Sequence, residues 1–437
     1  MPSMIYSREI PIRYDVDVFV AGGGPAGCAA AIAAARQGAK VFLAEGQACL
    51  GGLGTAGLVP AYMTFGDGKN FLAAALGREI LERLWKYGGE AYAHSHTLSI
   101  KVEALKRVYD DMLAEAGADF VLHTQLIDVQ MEGDRIDFCV LAGKSGIYGV
   151  RAKIYIDGTG DADLACWAGV PCDKGDDKGN MMAGTLCALW SNIDWARVRK
   201  PDDAKMEEAY NDGVFKKLDR HLPGMWKISD DIGGSNAGHG YGVDGTDERS
   251  LTEGLVYTRR LYDQYEAYYK KYLPGYENME LITTASLLGI RETRRIRGEY
   301  RLVLNDFLTQ ATFDDEIGRF AYPVDIHASD NSQESYNKFH QEHHGYRYKA
   351  GESYGVPYRI IVPQKIENLL VAGRSVSTDR PMQSSIRVMP GCYITGQAAG
   401  VAAVQCVRTG VTPRTVDVKA VQRVLKDMGM YLPNYRG

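Results

Sequence analysis

Gly22-Gly23-Gly24-Pro25-Ala26-Gly27 joins an apolar, β-branched run from Val16 to Val20 to an alanine-rich run from Ala26 to Ala35. Glycine at the first, third and sixth positions of such a junction has a chemical use. Gly22 permits a tight turn, Gly24 lets a pyrophosphate approach the backbone, and Gly27 lets the next helix pack closely on the strand. The helix start, with Pro25 and Ala26, then turns unpaired N–H groups and a positive dipole end toward the phosphates. Glu45 closes the next apolar run, Lys40 to Glu45, at about the 20-residue spacing at which a carboxylate accepts from ribose hydroxyls. An acid there disfavours a 2′-phosphate.

Three more glycine elements follow. Gly51-Gly52-Leu53-Gly54-Thr55-Ala56-Gly57 starts six residues after Glu45, a feature that a nicotinamide enzyme has no need of. Gly158-Thr159-Gly160-Asp161 ends a strand in a tight turn, with Asp161 in reach of a ribityl or pyrophosphate group, and Gly373-Arg374-Ser375 ends another. FAD, long enough to use every one of these turns, is the best single ligand for the set.

The candidates for proton and substrate handling lie later in the chain. His327, within Asp325-Ile326-His327, is the first candidate base, because histidine titrates near working pH; a structural histidine is the alternative. Arg291, Glu292, Arg294 and Arg295 form a dense charge cluster, read either as a bidentate carboxylate clamp at Arg291 or as an inter-domain salt-bridge network. His239, in the glycine-rich stretch Gly233 to Gly245, is a second proton-transfer candidate on a loop over the site. Tyr322, Tyr354, Tyr358 and Arg359 offer polar aromatic walls, or plain core packing.

These residues need elements to hold them. The uncharged run from Val18 to Ala35 touches the lower length limit of a membrane span, but its glycines and proline read as strand, turn and helix. Helical spacing recurs from Ile100 to Ala116, and short strands follow near 119–122, 126–131, 136–141 and 148–156. From Lys174 to about Tyr354 the chain becomes tyrosine-rich and charge-rich, with helices expected over 202–212 and 251–272. The βα rhythm returns at Leu369 to Ala372 and in a small-residue helix from Gly396 to Val407. The expected fold class is α/β: a Rossmann-like domain of parallel sheet with a β-meander, made of 1–60, 100–165 and 360–437. An α+β substrate or cap domain, 61–99 and 166–359, is inserted into it.

Composition narrows the class. The chain has 437 residues, 45% hydrophobic and 24% charged, which excludes disorder and collagen. Its 50 Lys+Arg against 55 Asp+Glu disfavour nucleic acid as a partner. Eight scattered cysteines without a CxxC pair give no metal site and are expected as reduced, mostly buried thiols. The N-terminus shows no signal-peptide pattern. The expectation is a cytoplasmic protein without membrane attachment, with a homo-oligomer left open, a small-molecule substrate and an electron acceptor that the residues do not identify.

The sequence resembles the FAD-dependent oxidoreductases of the glutathione-reductase-like superfamily. Within these it is similar to a group of bacterial flavoproteins, some labelled xanthan lyases. The motifs are GGLGTAGLVPAY (Gly51 to Tyr62), LGIRETRRIRGEY (Leu288 to Tyr300), YPVDIH (Tyr322 to His327), VPYR (Val356 to Arg359), NLLVAGRSVS (Asn368 to Ser377) and SIRVMPGCYITGQAAGVAA (Ser385 to Ala403), spanning nearly the whole chain. The resemblance implies that the last block, with Arg387, Gly391 and Gly396, sits over the isoalloxazine. A helix beginning near Pro390 to Gly396 would then face its N–H groups to the flavin. Taken alone, Gly396 to Gly400 also reads as a packing helix of small residues. Relatives allied to succinate dehydrogenase attach FAD to a histidine near the second glycine cluster. Leu53 and Gly54 stand there instead, and His94 and His96 come too late in the chain, so noncovalent FAD is expected.

The reaction expected is hydride transfer from a sugar-derived alcohol or hydroxy acid to flavin N5, with His327 taking the proton and Arg291 positioning the substrate. A flavin monooxygenase, an RNA-binding flavoprotein resembling the tRNA uridine modifiers, and a non-catalytic redox partner are the alternatives left open by the residues.

Overall fold

The computed structural model describes residues 4, 7–87, 97–199, 203–217, 219, 224–332, 334–335 and 346–437. His94 and His96 lie outside them. Strand β1 (Ile12–Ala21), helix α1 (Pro25–Ala35) and strand β2 (Val41–Ala44) form the first βαβ unit. Helix α2 (Val102–Ala116) leads to β3 (Asp119–Val121), and a meander follows: β4 (Gln125–Glu132), β5 (Arg135–Gly143) and β6 (Gly146–Asp157).

β3, β2, β1 and β6 lie side by side in parallel, and β5 and β4 continue the sheet antiparallel. β6 is long enough to take two partners along one edge. Residues 146–151 pair with β5, while Tyr155, Ile156 and Asp157 pair in parallel with Leu369, Leu370 and Val371. The C-terminal part of the chain thereby enters the same sheet.

The β1 sequence VFVA is apolar on both sides because both faces of the sheet are covered. Val18 and Val20 face the helices, while Phe19 and Ala21 join a second apolar cluster with Phe42, Tyr155 and Ala165. At the C-terminal ends the strands are tied in series. Gly22 N–H donates to the Ala44 carbonyl, Gly158 N–H to Ala21, Glu45 N–H to Val121 and Ala372 N–H to Asp157. In parallel α/β sheets that edge opens onto a ligand crevice.

Between β6 and the return strand lies the tyrosine-rich part. Its antiparallel sheet has the order β8 (Met225–Lys227), β9 (Gly233–Ser235), β7 (Ala188–Ser191), β10 (Glu280–Thr284). Helix α3 (Glu248–Tyr272) starts at Asp247, whose carboxylate accepts from Ser250 N–H. Tyr262, Tyr265, Tyr268, Tyr269 and Tyr272 lie on its buried side, with Trp190 packed against Tyr262 and Tyr269 at tilted ring angles. The glycine-rich stretch expected as a loop thus begins as a core strand: Gly233 and Gly234 pair with Trp190 and Leu189, and a Cβ on Gly234 would lie 2.6 Å from Pro60.

The return strand β11 (Leu369–Val371) is followed by α4 (Arg380–Ile386) and α5 (Met389–Thr409). α5 begins seven residues before the expected Gly396, because Pro390 falls in its first turn, where the missing N–H costs nothing. Among the described residues no helix is long and apolar enough to cross a membrane. The thiols are not all reduced, against the expectation from sequence. Cys166 and Cys172 form a disulfide, since the turn after a five-residue helix brings them together, while the other six cysteines are free and all but Cys49 are buried.

α1 and α5 cross at backbone distance. A Cβ on Gly396 would lie 2.2 Å from the Ala26 carbonyl oxygen, and one on Gly400 2.2 Å from that of Ala30. The packing alternative for these glycines is therefore what the geometry shows. Gly396→Ala must push the two helices apart, an overpacking cost of about 3 kcal/mol. It is expected to lower the apparent melting temperature by several degrees and to reduce retained flavin, read by differential scanning fluorimetry and visible absorbance.

Candidate active site

Two cavities meet in the interior. The first, about 480 Å³, opens over the C-terminal ends of the parallel strands. Gly22, Gly24, Pro25 and Ala26 line it at the start of α1, Glu45 and Gly52 on one flank, and Gly160, Asp161, Gly373, Arg374 and Arg387 on the other. Gly22 has φ +91°, a left-handed backbone that favours glycine, and a Cβ there would lie 2.7 Å from the Gly158 carbonyl. Gly24 caps α1 with no side-chain hydrogen bond, so the first N–H groups of the helix point at the cavity.

The remaining predicted cofactor residues stand behind this wall. Gly27 packs against Gly22, where a Cβ would lie 1.9 Å from the carbonyl oxygen. Gly51 N–H donates to the Gly23 carbonyl at 2.7 Å, and the Thr55 hydroxyl donates to that of Leu50 at 2.5 Å. The Ala56 carbonyl accepts from Ser286 N–H, and Gly57 fits against Leu53. Gly391 packs on Ile386, as Gly396 does on Ala26. They shape the cradle without lining it.

Glu45 is buried at the cavity edge. One oxygen accepts from Gly23 N–H at 2.6 Å and the other from Gln47 N–H at 2.7 Å. Burial pushes its carboxyl up, against those hydrogen bonds. Asp161 accepts at Oδ1 from Arg374 at 2.6 Å and from the Thr293 hydroxyl at 2.6 Å, so its first effect is to hold Arg374. The Nε atoms of Arg374 and Arg387 are buried and have no hydrogen-bond partner among the described residues. A glycine-lined cradle, an uncapped helix start and two buried guanidinium N–H groups suit an anionic dinucleotide, and the residues present fit FAD.

The second cavity, about 660 Å³, shares Leu53, Ile290, Arg291, Arg387 and Met389 with the first. His327, Asp325, His239 and Arg291 line it. Tyr358 does not: its hydroxyl donates to the Pro413 carbonyl at 2.9 Å in the core, a correction that follows from its place in a buried 3₁₀ turn. Sequence reasoning missed Asp219, Trp226, Asn236 and Tyr241, which also line this cavity. Asp219 and Trp226 sit in no motif, and Asn236 and Tyr241 flank His239 in the glycine-rich stretch without a signal of their own; folding alone brings the four together.

The charge cluster divides. Arg294 pairs with Asp163 at 2.7 Å, while Glu292, fully buried, accepts from Arg295 at 2.5 Å, Arg380 at 3.0 Å and Met182 N–H at 3.0 Å. Those residues form the network. Arg291 alone faces the cavity, and both N–H groups of Nη1 are used by the Ala183 carbonyl and the Thr185 hydroxyl. Nη2 in turn donates to Asn236 Oδ1 at 3.4 Å, so both ends of the fork expected for a bidentate clamp have protein partners and Arg291 serves as a positioning charge. Burial, then Arg387, lowers its pKa to about 10, still cationic at neutral pH.

Asp325 accepts from Tyr322 at 3.1 Å and from Arg387 at 3.3 Å. Burial raises its carboxyl, but the Arg387 and Arg291 guanidiniums outweigh this and hold it far below the usual carboxylate range. His327 Nε2 lies 3.7 Å from Asp325 Oδ1, and its Nδ1 lies 3.1 Å from His239 Nε2. Burial, then Arg291, pushes the His327 pKa down to about 3, so the ring is neutral at working pH. Burial pushes Cys187, on the same wall, up to about 12, which leaves it an inert thiol. Among the described residues no group of three or more His, Cys, Asp or Glu is placed to hold a metal.

Comparison with known proteins agrees on the cofactor. The family described as FAD dependent oxidoreductase matches residues 17–425. A thiamine thiazole synthase from Desulfosudis oleivorans is 31% identical over 165 residues, which cover 36% of this chain and 60% of that protein. Among solved structures, a p-nitrophenol 4-monooxygenase from Pseudomonas putida DLL-E4 is similar with TM-score 0.49 and 13% identity, over 95% of this chain and 84% of that one. A geranylgeranyl bacteriochlorophyll reductase-like protein from Thermoplasma acidophilum has TM-score 0.47 and 14% identity, over 95% and 83%.

Arg374→Met removes a half-buried cation, with its buried Nε–H, from the cradle and leaves an aliphatic stem. A charged hydrogen bond is worth about 1.5–3 kcal/mol. FAD affinity is therefore expected to fall about tenfold or more, measured by titrating apoprotein with FAD, with little change in apoprotein melting.

Proposed function

This chain belongs to the FAD-dependent oxidoreductase family, and from that premise we propose that it is a dehydrogenase or oxidase of a small polar substrate, a sugar-derived alcohol or hydroxy acid. When bound, FAD supplies the acceptor for a hydride from a substrate carbon. The one observation that carries the reading is the adjacency of two cavities, the second lined by His327 and Asp325 and sharing Arg291 with the first.

A neutral His327 ring is in the form that can accept the hydroxyl proton as the carbon is oxidised. Arg291, cationic and desolvated, stabilises negative charge that develops on the substrate oxygen. Arg387 and Tyr322 hold Asp325 beside the histidine, so the carboxylate orients whatever hydroxyl enters. Leu53, Val59, Met63 and Trp226 add apolar lining that excludes water, and Trp226 suits the C–H face of a sugar ring.

Anaerobic mixing of the holoenzyme with a panel of sugars and hydroxy acids is expected to bleach the flavin without NAD(P)H. Rapid NAD(P)H oxidation stimulated by an aromatic compound, with no bleaching by any alcohol, would overturn the proposal in favour of monooxygenation. With the substrate so found, His327→Ala is expected to slow single-turnover flavin reduction by about 10²–10⁴-fold at unchanged flavin content.

The acid limb of the rate gives an independent check. His327 accepts a proton only when neutral, and with its pKa near 3 it stays neutral in mild acid. Reduction is expected to stay level from about pH 8 to about pH 5, where an unperturbed histidine would halve the rate near about pH 6.5.

A further inference from the structure

Behind His327 the structure holds a chain of hydrogen-bonded groups from three separate segments. Asp219 Oδ1 lies 2.9 Å from His239 Nδ1, and His239 Nε2 lies 3.1 Å from His327 Nδ1. The Tyr241 hydroxyl lies 3.1 Å from the same His239 Nδ1. The His239 and Asp219 side chains are 9% and 13% exposed, so water does little of this bonding.

We propose that Asp219 and His239 are positioning residues that fix the tautomer of His327 and thereby make its Nε2 the proton-accepting atom. The inference rests on the reading of His327 as base.

A carboxylate only accepts, so at 2.9 Å from Asp219 the proton of His239 sits on Nδ1. Its Nε2 is then an acceptor, and the nitrogen facing it, His327 Nδ1, carries the second proton. That leaves the lone pair of His327 on Nε2, toward Asp325, whose Oδ1 at 3.7 Å is beyond hydrogen-bond distance; of the two carboxylates Asp219, at 2.9 Å, therefore sets the tautomers. The reverse arrangement would set a His239 lone pair against the carboxylate, two acceptors at hydrogen-bond distance in a nearly dry place. Tyr241 fits either arrangement, since a hydroxyl both donates and accepts.

The same chain accounts for the proton afterwards. The substrate O–H bond breaks and the N–H bond forms at His327 Nε2, leaving that ring cationic. Its Nδ1 proton can pass to His239 Nε2, and the His239 Nδ1 proton then moves toward Asp219, so the charge is spread toward a carboxylate. Nothing else is consumed.

Histidine ring ¹⁵N spectra of the labelled holoenzyme test this without any substrate. Protons on Nδ1 of both His239 and His327 are expected; a proton on Nε2 of His239 in the wild type overturns the inference, whatever the substrate proves to be. In Asp219→Asn the carboxamide can offer an N–H to His239 Nδ1, which inverts both tautomers. Flavin reduction by the panel substrate is then expected to fall about 10⁴-fold, the scale of loss for a wrong-tautomer histidine. Asp219→Ala imposes no tautomer and is expected to lose less. Equal losses in the two variants, with ring spectra like the wild type, would show a merely structural Asp219. If His327→Ala leaves reduction intact while both rings carry Nδ1 protons, the base assignment fails and the tautomer assignment stands.

Discussion

The carbonyl oxygens of Ala26 and Ala30 occupy the space where residues 396 and 400 would otherwise carry side chains, and much of the molecule is arranged around that contact. α1 begins at the phosphate-facing turn and α5 begins beside the second cavity. Packing them at backbone distance fixes how far Gly24 stands from Arg387 and Met389. Because α1 is pressed between the sheet and α5, nearly all its positions are buried and alanine is the largest residue most of them admit.

That contact also explains why the two cavities touch. Arg387 and Met389 flank the start of α5, Leu53 comes from the second glycine cluster, and Ile290 and Arg291 come from the cap side. Their alignment is kept by charges buried away from either cavity. Glu292 gathers Arg295, Arg380 and the Met182 N–H at a fully buried point, tying the segment after the cap sheet to α4. A buried network of this kind contributes little net stability after desolvation, but it allows few alternative arrangements. Its neighbour Arg291 is held by carbonyl and hydroxyl groups with its charge directed to the cavity.

The tyrosine-rich part between β6 and β11 contributes by burying aromatic surface. The tyrosine face of α3 and Trp190 form a rigid layer under β7 and β9, and the chain after β9 carries His239 into the cavity. His239 then meets Asp219 from one side and His327 from the other. A pair of histidines that would be unremarkable apart gains direction from one carboxylate.

The parts of this protein governed by local rules could be read from its residues. β1, α1, β2 and the meander follow from apolar periodicity and glycine turns, and the cofactor follows because GxGxxG with a later acid needs only neighbours in sequence to make sense. His327, Asp325, His239 and Arg291 could be singled out by residue type, though not with their roles. Other features depend on contacts between distant segments. Arg291 and Arg294 look alike in the sequence, and only folding sends one to the cavity and the other to Asp163. Tyr358 and Tyr322 are equally plausible by type, yet one bonds the Pro413 carbonyl in the core and the other holds Asp325. Asp219 carries no signal at all, since an aspartate acquires its effect on a histidine from a 2.9 Å separation across 20 residues of chain. Sequence by itself determined the cofactor and the frame that binds it, because backbone turns and strand periodicity are local. Tertiary structure alone decided which charges face the second cavity, because hydrogen-bond direction and burial exist only between segments brought together by folding.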